Sequence, residues 1–405
     1  MKVTTVFRKW TETSLVLRIL AGLVIGAIMG LTVPGWTGIA ILGQMFVGAL
    51  KAIAPVLVAV LVTASIAKAG GGLGARFRLV ITEYMVSTFL AAFCAVAFSF
   101  MFPVTLQLND AATDAAPSDL ANVFSNLLTN MVSNPVQATS TANYIAILFW
   151  AILLGIGLKM KASKQTISVI TDLSEVTSLV VKWIIQFAPF GILGLVFSSV
   201  SEGGLEVFTS YGRLLLLLVS CMLCSALIIN PLIAFLLLRR NPYPLLLTCL
   251  RESGLQAFFT RSSAANIPIN MALCKKLGVD EDFYSVSIPL GATINMNGAA
   301  ITINVMTLAV AHTMGVEITF LSSIFLCIIA TLAACGTSGV AGGSLLLVPL
   351  GCSFFGIGND IAMQAVAVGF IIGVIQDSVE TALNSSGDAF FTATADLYER
   401  QSKYQ

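Results

Sequence analysis

The sequence predicts an all-α protein that crosses a membrane several times, with eight transmembrane helices and two re-entrant helical hairpins of opposite orientation. Three observations predict this fold class. Hydrophobic residues make up 57% of the 405 residues and charged residues only 10%, against about 25% charged residues in soluble domains. Apolar stretches long enough to span a hydrocarbon core, about 20 residues, recur along the chain. Two further apolar stretches are interrupted by small and polar residues.

The composition also excludes several classes of protein. So much apolar surface rules out a disordered chain and a single water-soluble core. Lys and Arg number 21 against 20 Asp and Glu, so there is no overall positive field to attract nucleic acid. One His and eight scattered Cys leave little material for a zinc or iron–sulfur site. We therefore expect no cofactor.

Eight stretches are predicted to cross the bilayer because they are long and predominantly apolar. They are 14–33, 40–67, 79–103, 142–158, 179–200, 212–238, 284–313 and 360–383. The first follows the basic residues Lys2, Arg8 and Lys9, and no small-residue cleavage site closes it. We therefore expect a retained transmembrane helix there and not a signal peptide.

Two other apolar stretches, 244–273 and 320–352, are each interrupted near the middle. The first interruption runs from Thr260 to Asn266 and the second from Cys335 to Ser344. Non-helical backbone at membrane depth is tolerated only where it is buried in protein or lines a wet cavity. Both stretches are therefore predicted to be hairpins that enter and leave on the same side. The alternative is that Gly and Ser merely allow close packing of helices.

The charges of the loops predict the orientation. Basic residues recur in alternate loops, whereas the opposite loops are mostly acidic. The basic positions are Lys2, Arg8, Lys9, Lys68, Arg76, Arg78, Lys159, Lys161, Lys164, Arg239, Arg240, Lys275, Lys276, Arg400 and Lys403. The positive-inside rule then places both termini in the cytoplasm. The first hairpin opens from the cytoplasm and the second from outside, so 244–313 and 320–395 form inverted repeats of the kind that many secondary transporters use to build a substrate site.

The last apolar stretch carries a stripe of polar residues. Asp377, Thr381, Asn384 and Asp388 follow spacings of four, three and four, which places them on one face of a helix with Glu380 beside it. Carboxylates at membrane depth are costly, so a functional site is the first hypothesis. A carboxylate cluster lining a water-filled vestibule is the alternative. The charges suit a zwitterionic substrate together with at least one Na⁺.

The segment from Gly291 to Gly298 contains two Asn and two Gly inside an apolar stretch. This pattern predicts an unwound turn whose carbonyl groups face inward and could bind a cation such as Na⁺. The helix ends at the hairpin tips offer N–H groups for a substrate carboxylate.

Two other classes of function compete with transport. An ion channel would need a continuous polar pore along several helices, whereas the polar residues here are concentrated at one level. An enzyme would need a nucleophile–base pair or a set of metal ligands, and no His/Glu metal motif occurs. The sequence therefore favours a transporter.

The polar motifs together resemble the glutamate-transporter (dicarboxylate/amino-acid:cation symporter) family. The resemblance rests on Arg261-Ser262-Ser263, Gly291 to Gly298, Gly336 to Val340, and Asn384 with Gly387-Asp388. The strings Phe259–Met271 and Gln376–Asp388 are most similar to bacterial members that carry serine and threonine with Na⁺. The resemblance implies a homotrimer in the bacterial inner membrane that works by an elevator mechanism. It implies scaffold segments 1–78 and 104–211 and transport-domain segments 79–103 and 212–405.

The resemblance also implies roles for individual residues. The substrate would be bound by Asp377 and Thr381 at its α-ammonium group, and by Asn384, Ser263, Ser262 and the backbone of Arg261 and Val340 at its α-carboxylate. One Na⁺ would be bound by carbonyl groups of Gly291, Asn295 and Asn384 and by the Asp388 carboxylate. A second Na⁺ would be bound by carbonyl groups of Thr293, Ala334, Cys335 and Thr337.

The sequence departs from the family pattern at two important positions. Members with acidic substrates have an Arg where this chain has Glu380, so we expect a neutral substrate, with Glu380 accepting a hydroxyl hydrogen bond or orienting Arg261. A carrier of acidic amino acids or dicarboxylates, coupled to Na⁺ or H⁺, remains the alternative. Members with a third Na⁺ site have an Asp where this chain has Asn297, although Tyr84, Ser87 and Thr88 match that site. We therefore expect fewer coupled ions.

Overall fold

A computed structural model describes residues 13–68, 75–108, 129, 131–335, 337 and 342–402. Within these residues the chain is helical and contains no β-strand, which confirms the predicted all-α class. The N-terminal residues Lys2, Arg8 and Lys9 and the predicted site residue Val340 lie outside the described residues.

In the described part of the chain, nine helices lead from the N-terminal region to the first predicted hairpin. They are α1 (Leu15–Thr32), α2 (Ala40–Lys68), α3 (Ala75–Met101), α4 (Pro135–Ser140), α5 (Tyr144–Lys161), α6 (Lys164–Gln186), α7 (Ala188–Gly203), α8 (Glu206–Cys224) and α9 (Asn230–Leu238). A π-helical turn, Ser225–Ile229, joins α8 to α9 into one continuous helical stretch.

Eight further helices of the described residues contain both predicted hairpins and the polar stripe. They are α10 (Tyr243–Cys249), α11 (Leu255–Thr260), α12 (Ser263–Lys276), α13 (Glu281–Ile294), α14 (Asn297–Thr313), α15 (Phe320–Ala334), α16 (Val348–Phe354) and α17 (Asn359–Ser402). A π-helical turn, Leu250–Gly254, joins α10 to α11.

The described helices are those of a polytopic membrane protein, but the predicted count of eight spans is not confirmed. Among the described residues, six helical stretches are long and apolar enough to cross a bilayer, and a seventh arises if α6 and α7 are taken as one bent span. The predicted span 179–200 is not one straight helix, because the chain bends by 54° between α6 and α7. Pro189 in the first turn of α7 has no N–H for a continuing helix. Helix α1 lies within the predicted span 14–33, yet its apolar part, Leu17–Thr32, is short for a span.

The predicted break in 244–273 separates two helices that lie side by side. Arg261 ends α11 in the left-handed conformation, with φ of 52°, and the Ser262 hydroxyl accepts the Ala265 N–H to begin α12. Across the two arms, Asn266 Nδ2 donates to Ser253 Oγ at 2.9 Å. Antiparallel arms of this kind are what a helical hairpin requires.

The second predicted break separates α15 from α16. Helix α15 begins with a capping box formed by Thr319 and Ser322, and the chain returns to helix through a 3₁₀ turn, Leu345–Leu347. The two arms contact each other. Of the tip, Thr337 and the residues from Gly342 onward are described, and Gly342 has φ of 69°.

The predicted unwound turn in 291–298 is confirmed. Helix α13 ends at Ile294, Asn295 and Met296 have non-helical backbone angles, and α14 begins at Asn297. Both Asn295 and Asn297 are almost fully buried.

Helix α17 runs through the centre of these elements, in contact with α3, with α8 to α14 and with α16. Its residues from Gln376 to Ala395 are buried almost throughout. The N-terminus of α3, the α12–α13 loop and the C-terminus of α17 meet through ion pairs from Arg76 to Asp280 (3.1 Å) and Asp396 (2.7 Å). The loop charges predict that these three regions lie on the same side of the membrane.

Candidate functional site

The Asp377 carboxylate lies between the two helix breaks. Its Oδ2 is 2.7 Å from Arg261 Nε in the first break, and its Oδ1 accepts the Gly342 N–H at 3.2 Å in the second. One turn further along α17, the Thr381 hydroxyl donates to the Asp377 carbonyl oxygen at 2.7 Å. Only 4% of Asp377 is exposed, so its charge is balanced by groups of the protein.

Glu380 is bound by three donors that the sequence analysis did not single out. Its Oε2 accepts from Thr302 Oγ1 at 2.8 Å, Ser344 Oγ at 2.9 Å and Gln376 Nε2 at 2.5 Å. The expectation that Glu380 orients Arg261 receives no support, because Arg261 pairs with Asp377. Gln376 lies one turn before Glu380 on the same helix, so helical spacing could have indicated it as a partner of Glu380. Thr302 and Ser344 come from other elements, so no local spacing indicates them.

Asn384 joins α17 to the start of α14. Its Oδ1 accepts the Gly298 N–H at 2.8 Å, while its Nδ2 faces Met296 Sδ at 3.4 Å. A thioether is a weak acceptor, so the Asn384 amide N–H groups retain capacity for a stronger acceptor such as a carboxylate. Gly298 is required at this contact, because a Cβ there would lie 2.9 Å from the Glu380 Cα.

The Asp388 carboxylate is fully buried and only half partnered. Asn295 Nδ2 donates to Asp388 Oδ1 at 2.9 Å and to the Asn384 carbonyl oxygen at 3.1 Å, whereas Asp388 Oδ2 has no hydrogen-bond partner among the described residues. A Cβ on Gly291 would lie 2.8 Å from Asp388 Oδ1. A buried, unpartnered carboxylate oxygen among carbonyl groups fits a hard cation such as Na⁺.

The residues expected for a second Na⁺ come from α13 and the end of α15. Cys335 Sγ lies 3.8 Å from the Ile294 carbonyl oxygen, so these two helix ends meet. Thr337 donates to the Ala334 carbonyl oxygen at 2.8 Å. The Thr293 hydroxyl donates to the Leu290 carbonyl oxygen of its own helix at 2.7 Å.

The residues that match a third Na⁺ site form a neutral hydrogen-bond network. Asn297 Oδ1 accepts from Thr88 Oγ1 at 2.8 Å and from Ser87 Oγ at 3.1 Å. Its Nδ2 donates to Asn230 Oδ1 at 3.2 Å, a partner that the sequence analysis missed. The Tyr84 hydroxyl contacts Thr392 at 3.0 Å. Both ends of the Asn297 amide are therefore satisfied without an ion.

The first hairpin is fixed to α17 by a second group of buried amides. Asn266 Nδ2 donates to Ser385 Oγ at 2.9 Å, and Asn270 Nδ2 donates to the Ser385 carbonyl oxygen at 2.9 Å. These contacts hold the N-terminal turn of α12, with Ser262 and Ser263, beside the polar stripe. The sequence analysis did not single out Asn270 or Ser385.

The chain matches the family model described as the sodium:dicarboxylate symporter family over residues 15–397. The chain belongs to this family. One relative, the serine/threonine transporter SstT of Bifidobacterium adolescentis, is 56% identical over 390 residues, covering 96% of this chain and 91% of the relative. Another, the serine/threonine transporter SstT of Streptococcus thermophilus, is 53% identical over 389 residues, covering 96% of each.

Membership of this symporter family confirms that the protein is a transporter and not an enzyme. A symporter carries a small-molecule substrate together with an ion. The apolar helices identify the chain as a multi-pass membrane protein. The polar groups on α17 lie where the breaks of the two hairpins come together.

Proposed function

We propose that this symporter is a secondary active transporter that imports serine and threonine together with Na⁺. The single observation that carries the choice of a neutral substrate is Glu380, a buried carboxylate held among Thr302, Ser344 and Gln376. A second carboxylate on the substrate would be repelled there. The names of both similar transporters support the same substrates.

The α-ammonium group of the substrate binds Asp377 and displaces Arg261 Nε, which occupies Asp377 Oδ2. The α-carboxylate binds the Asn384 amide N–H groups and the first turn of α12 at Ser262 and Ser263. This helix has 14 residues, and the N-terminus of a helix favours an anion. We also assign backbone contacts to Arg261 and Val340, and Thr381 to the ammonium side.

The hydroxyl group of serine or threonine donates to Glu380. Three donors converge on Oε2, which orients the carboxylate and leaves Oε1 as the acceptor for the substrate. A site that is built to bind a hydroxyl group discriminates strongly against an analogue without it, because the buried acceptor is then left unpaired. Alanine is therefore a poorer substrate than serine.

Two Na⁺ ions complete the charge balance. Two negative charges are in excess when the carboxylates of Asp377, Glu380 and Asp388 are all ionised. Among the described residues, Arg261 is the only charged counterpart that contacts them. A zwitterion leaves this excess unchanged, and two Na⁺ ions remove it. The first is bound by Gly291, Asn295, Asn384 and Asp388, and the second by Thr293, Ala334, Cys335 and Thr337.

We assign an elevator mechanism in a homotrimer of the bacterial inner membrane, with both termini in the cytoplasm. The segments 1–78 and 104–211 form the scaffold, and 79–103 and 212–405 form the moving transport domain with two hairpins that open from opposite sides. Contacts of α3 support its assignment to the moving part. Its Thr88 and Tyr84 are hydrogen-bonded to Asn297 and Thr392.

Counterflow of radiolabelled serine in proteoliposomes tests the function. We expect uptake that requires Na⁺ and is inhibited by unlabelled serine and threonine but not by aspartate. Uptake without Na⁺, or preference for aspartate in the wild type, contradicts the proposal and favours an acidic amino acid or dicarboxylate carrier. The variant Glu380→Arg is the matched test of specificity: it should lose serine uptake and gain competition by aspartate.

A further inference from the structure

A cavity of about 410 Å³ lies between α7 and α17, on a face of α17 that the polar stripe does not use. Small-molecule sites in proteins are clefts of about 300–1,000 Å³ and occur preferentially where domains meet. The cavity is therefore large enough for a ligand of its own.

The α7 wall of the cavity changes from apolar to charged along the helix. It consists of Leu195, Ser198, Ser199 and Glu202, which lie at positions i, i+3, i+4 and i+7 and so share one helical face. Glu202 and Leu195 are about 10 Å apart along the helix axis. The carboxylate is thus at one end of the wall and the aliphatic side chain at the other.

The α17 wall repeats this arrangement. Gln364, Ala367, Val368 and Ile371 line the cavity at the same spacing, with the polar residue first and the aliphatic residues after it. The loop charges predict that the C-terminus of α7 and the N-terminus of α17 both lie on the side opposite the basic loops. The polar ends of the two walls therefore form the outer mouth, and the apolar ends lie deeper.

The cavity is separate from the transport site. Ile371 and Asp377 are six positions apart on α17, which corresponds to about 9 Å along the helix axis and about 120° around it. The residues that line the cavity include none that we assign to serine or to Na⁺.

Glu202 is the only charged residue among the described residues that line the cavity. It is exposed and forms no ion pair with another described residue. It lies in the last turn of α7 (Ala188–Gly203), at the negative end of the helix dipole. A cation is stabilised there by the carboxylate and by the dipole, whereas an anion finds no opposite charge.

The hydroxyl groups of the cavity already have partners within the protein. Ser198 Oγ donates to the Gly194 carbonyl oxygen at 3.1 Å, and the Tyr211 hydroxyl donates to Ser199 Oγ at 3.2 Å. The deeper part of the cavity thus favours apolar groups, since their removal from water is favourable. We propose that the cavity between α7 and α17 is a second ligand site, which binds a small organic cation at Glu202 with an apolar tail directed towards the deeper end.

The two walls belong to segments with different proposed roles. Helix α7 lies in the segment 104–211, which we assign to the scaffold, and α17 lies in the segment 212–405, which we assign to the transport domain. A ligand that contacts both walls restrains their relative movement, so it inhibits serine uptake without competing with serine. This consequence rests on the elevator mechanism proposed above, whereas binding of the cation does not.

The melting temperature of the purified full-length protein tests binding. Hexyltrimethylammonium should raise it in a saturable way. Tetramethylammonium, which has the charge but no apolar tail, should need at least about tenfold higher concentrations. Glu202→Gln should raise the concentration of hexyltrimethylammonium for half the effect at least about fivefold. Glu206→Gln, which changes an exposed carboxylate outside the cavity, is the matched control.

A second variant fills the cavity, and transport provides a second readout. Ala367→Phe should abolish the stabilisation by hexyltrimethylammonium, while serine still raises the melting temperature as in the wild type. In wild-type proteoliposomes, hexyltrimethylammonium should lower the maximal rate of serine uptake and leave the serine concentration for half-maximal uptake unchanged.

Three outcomes overturn the proposal. The wild type shows no saturable stabilisation by hexyltrimethylammonium; Glu202→Gln and Ala367→Phe both respond as the wild type does; or excess serine relieves the inhibition, which places the probe in the transport site. Binding that leaves serine uptake unchanged supports the second site and counts instead against the division into scaffold and moving segments.

Discussion

Arg261 Nε lies 2.7 Å from Asp377 Oδ2, so a residue in a turn between two helices supplies the positive charge for a carboxylate on α17. Both side chains are largely buried, with 12% and 6% of their surfaces exposed. The guanidinium group thus occupies the position that we assign to the ammonium group of the substrate. On this assignment, the ammonium group of the substrate competes with Arg261 for Asp377 Oδ2.

This relationship predicts the behaviour of Arg261→Gln. Removing one partner of a buried pair leaves the other uncompensated and costs about 3–5 kcal/mol, so the substrate-free variant should melt at a lower temperature. Serine supplies a new positive charge, so it should raise the melting temperature more in the variant than in the wild type. Lys276→Gln, which breaks an exposed pair with Glu252, is the control. An equal or smaller effect of serine in Arg261→Gln would contradict the assignment of Asp377 to the ammonium group.

The neutral network around Asn297 predicts a change in ion coupling. Asn297→Asp places a carboxylate beside the hydroxyl groups of Thr88 and Ser87, and a buried charge there requires a cation. The variant should couple one more Na⁺ to each serine than the wild type does. The measurement is the reversal potential of serine transport in proteoliposomes. The double variant Asn297→Asp/Thr88→Ala should lose the added ion, and an unchanged stoichiometry in the single variant would argue against the third site.

The unpartnered oxygen of Asp388 predicts the effect of Asp388→Asn. An interaction with a charged group contributes about 1.5–3 kcal/mol, so losing the carboxylate should raise the Na⁺ concentration needed for serine binding at least about tenfold. Asp360→Asn lies on the same helix, far from the site and paired with Lys51, and should leave the Na⁺ dependence unchanged. Serine binding at several Na⁺ concentrations measures both. If Asp388→Asn and the wild type show the same Na⁺ dependence, Asp388 is not part of the ion site.

Two glycines of α17 form a matched pair. A Cβ on Gly387 would lie 2.8 Å from Asn295 Nδ2, whereas a Cβ on Gly373 would lie 4.0 Å from its nearest contact, the Leu345 side chain. Gly387→Ala should therefore displace the Asn295 amide from Asp388 and weaken Na⁺-dependent serine binding, while Gly373→Ala should leave it unchanged. Similar Na⁺ titrations for both variants would show that the Asn295 contact is not part of the ion site.

The comparison of sequence and structure shows which features local patterns predict. The stripe on α17 follows from the spacing of Asp377 and Asp388, because one helix sets that geometry. The break at Asn295 follows from polar residues that a continuous apolar helix does not favour. The span count did not follow, because the bend between α6 and α7 depends on how Pro189 is accommodated at the start of a helix. Glycine allows close helix packing outside the two breaks, between α1 and α7, where a Cβ on Gly22 would clash with the Pro189 carbonyl oxygen.

The amino-acid sequence by itself determined the apolar helices, the interruptions in them and the acidic stripe, because hydropathy and helical period act over neighbouring residues. Only the tertiary structure decided the partners: Arg261 binds Asp377, while Glu380 binds Thr302 and Ser344. Likewise, Asn297 is hydrogen-bonded to Asn230, which lies 67 positions away in the sequence. A buried polar group must find its hydrogen bond wherever the packed helices present one, and no local pattern specifies which helix that is.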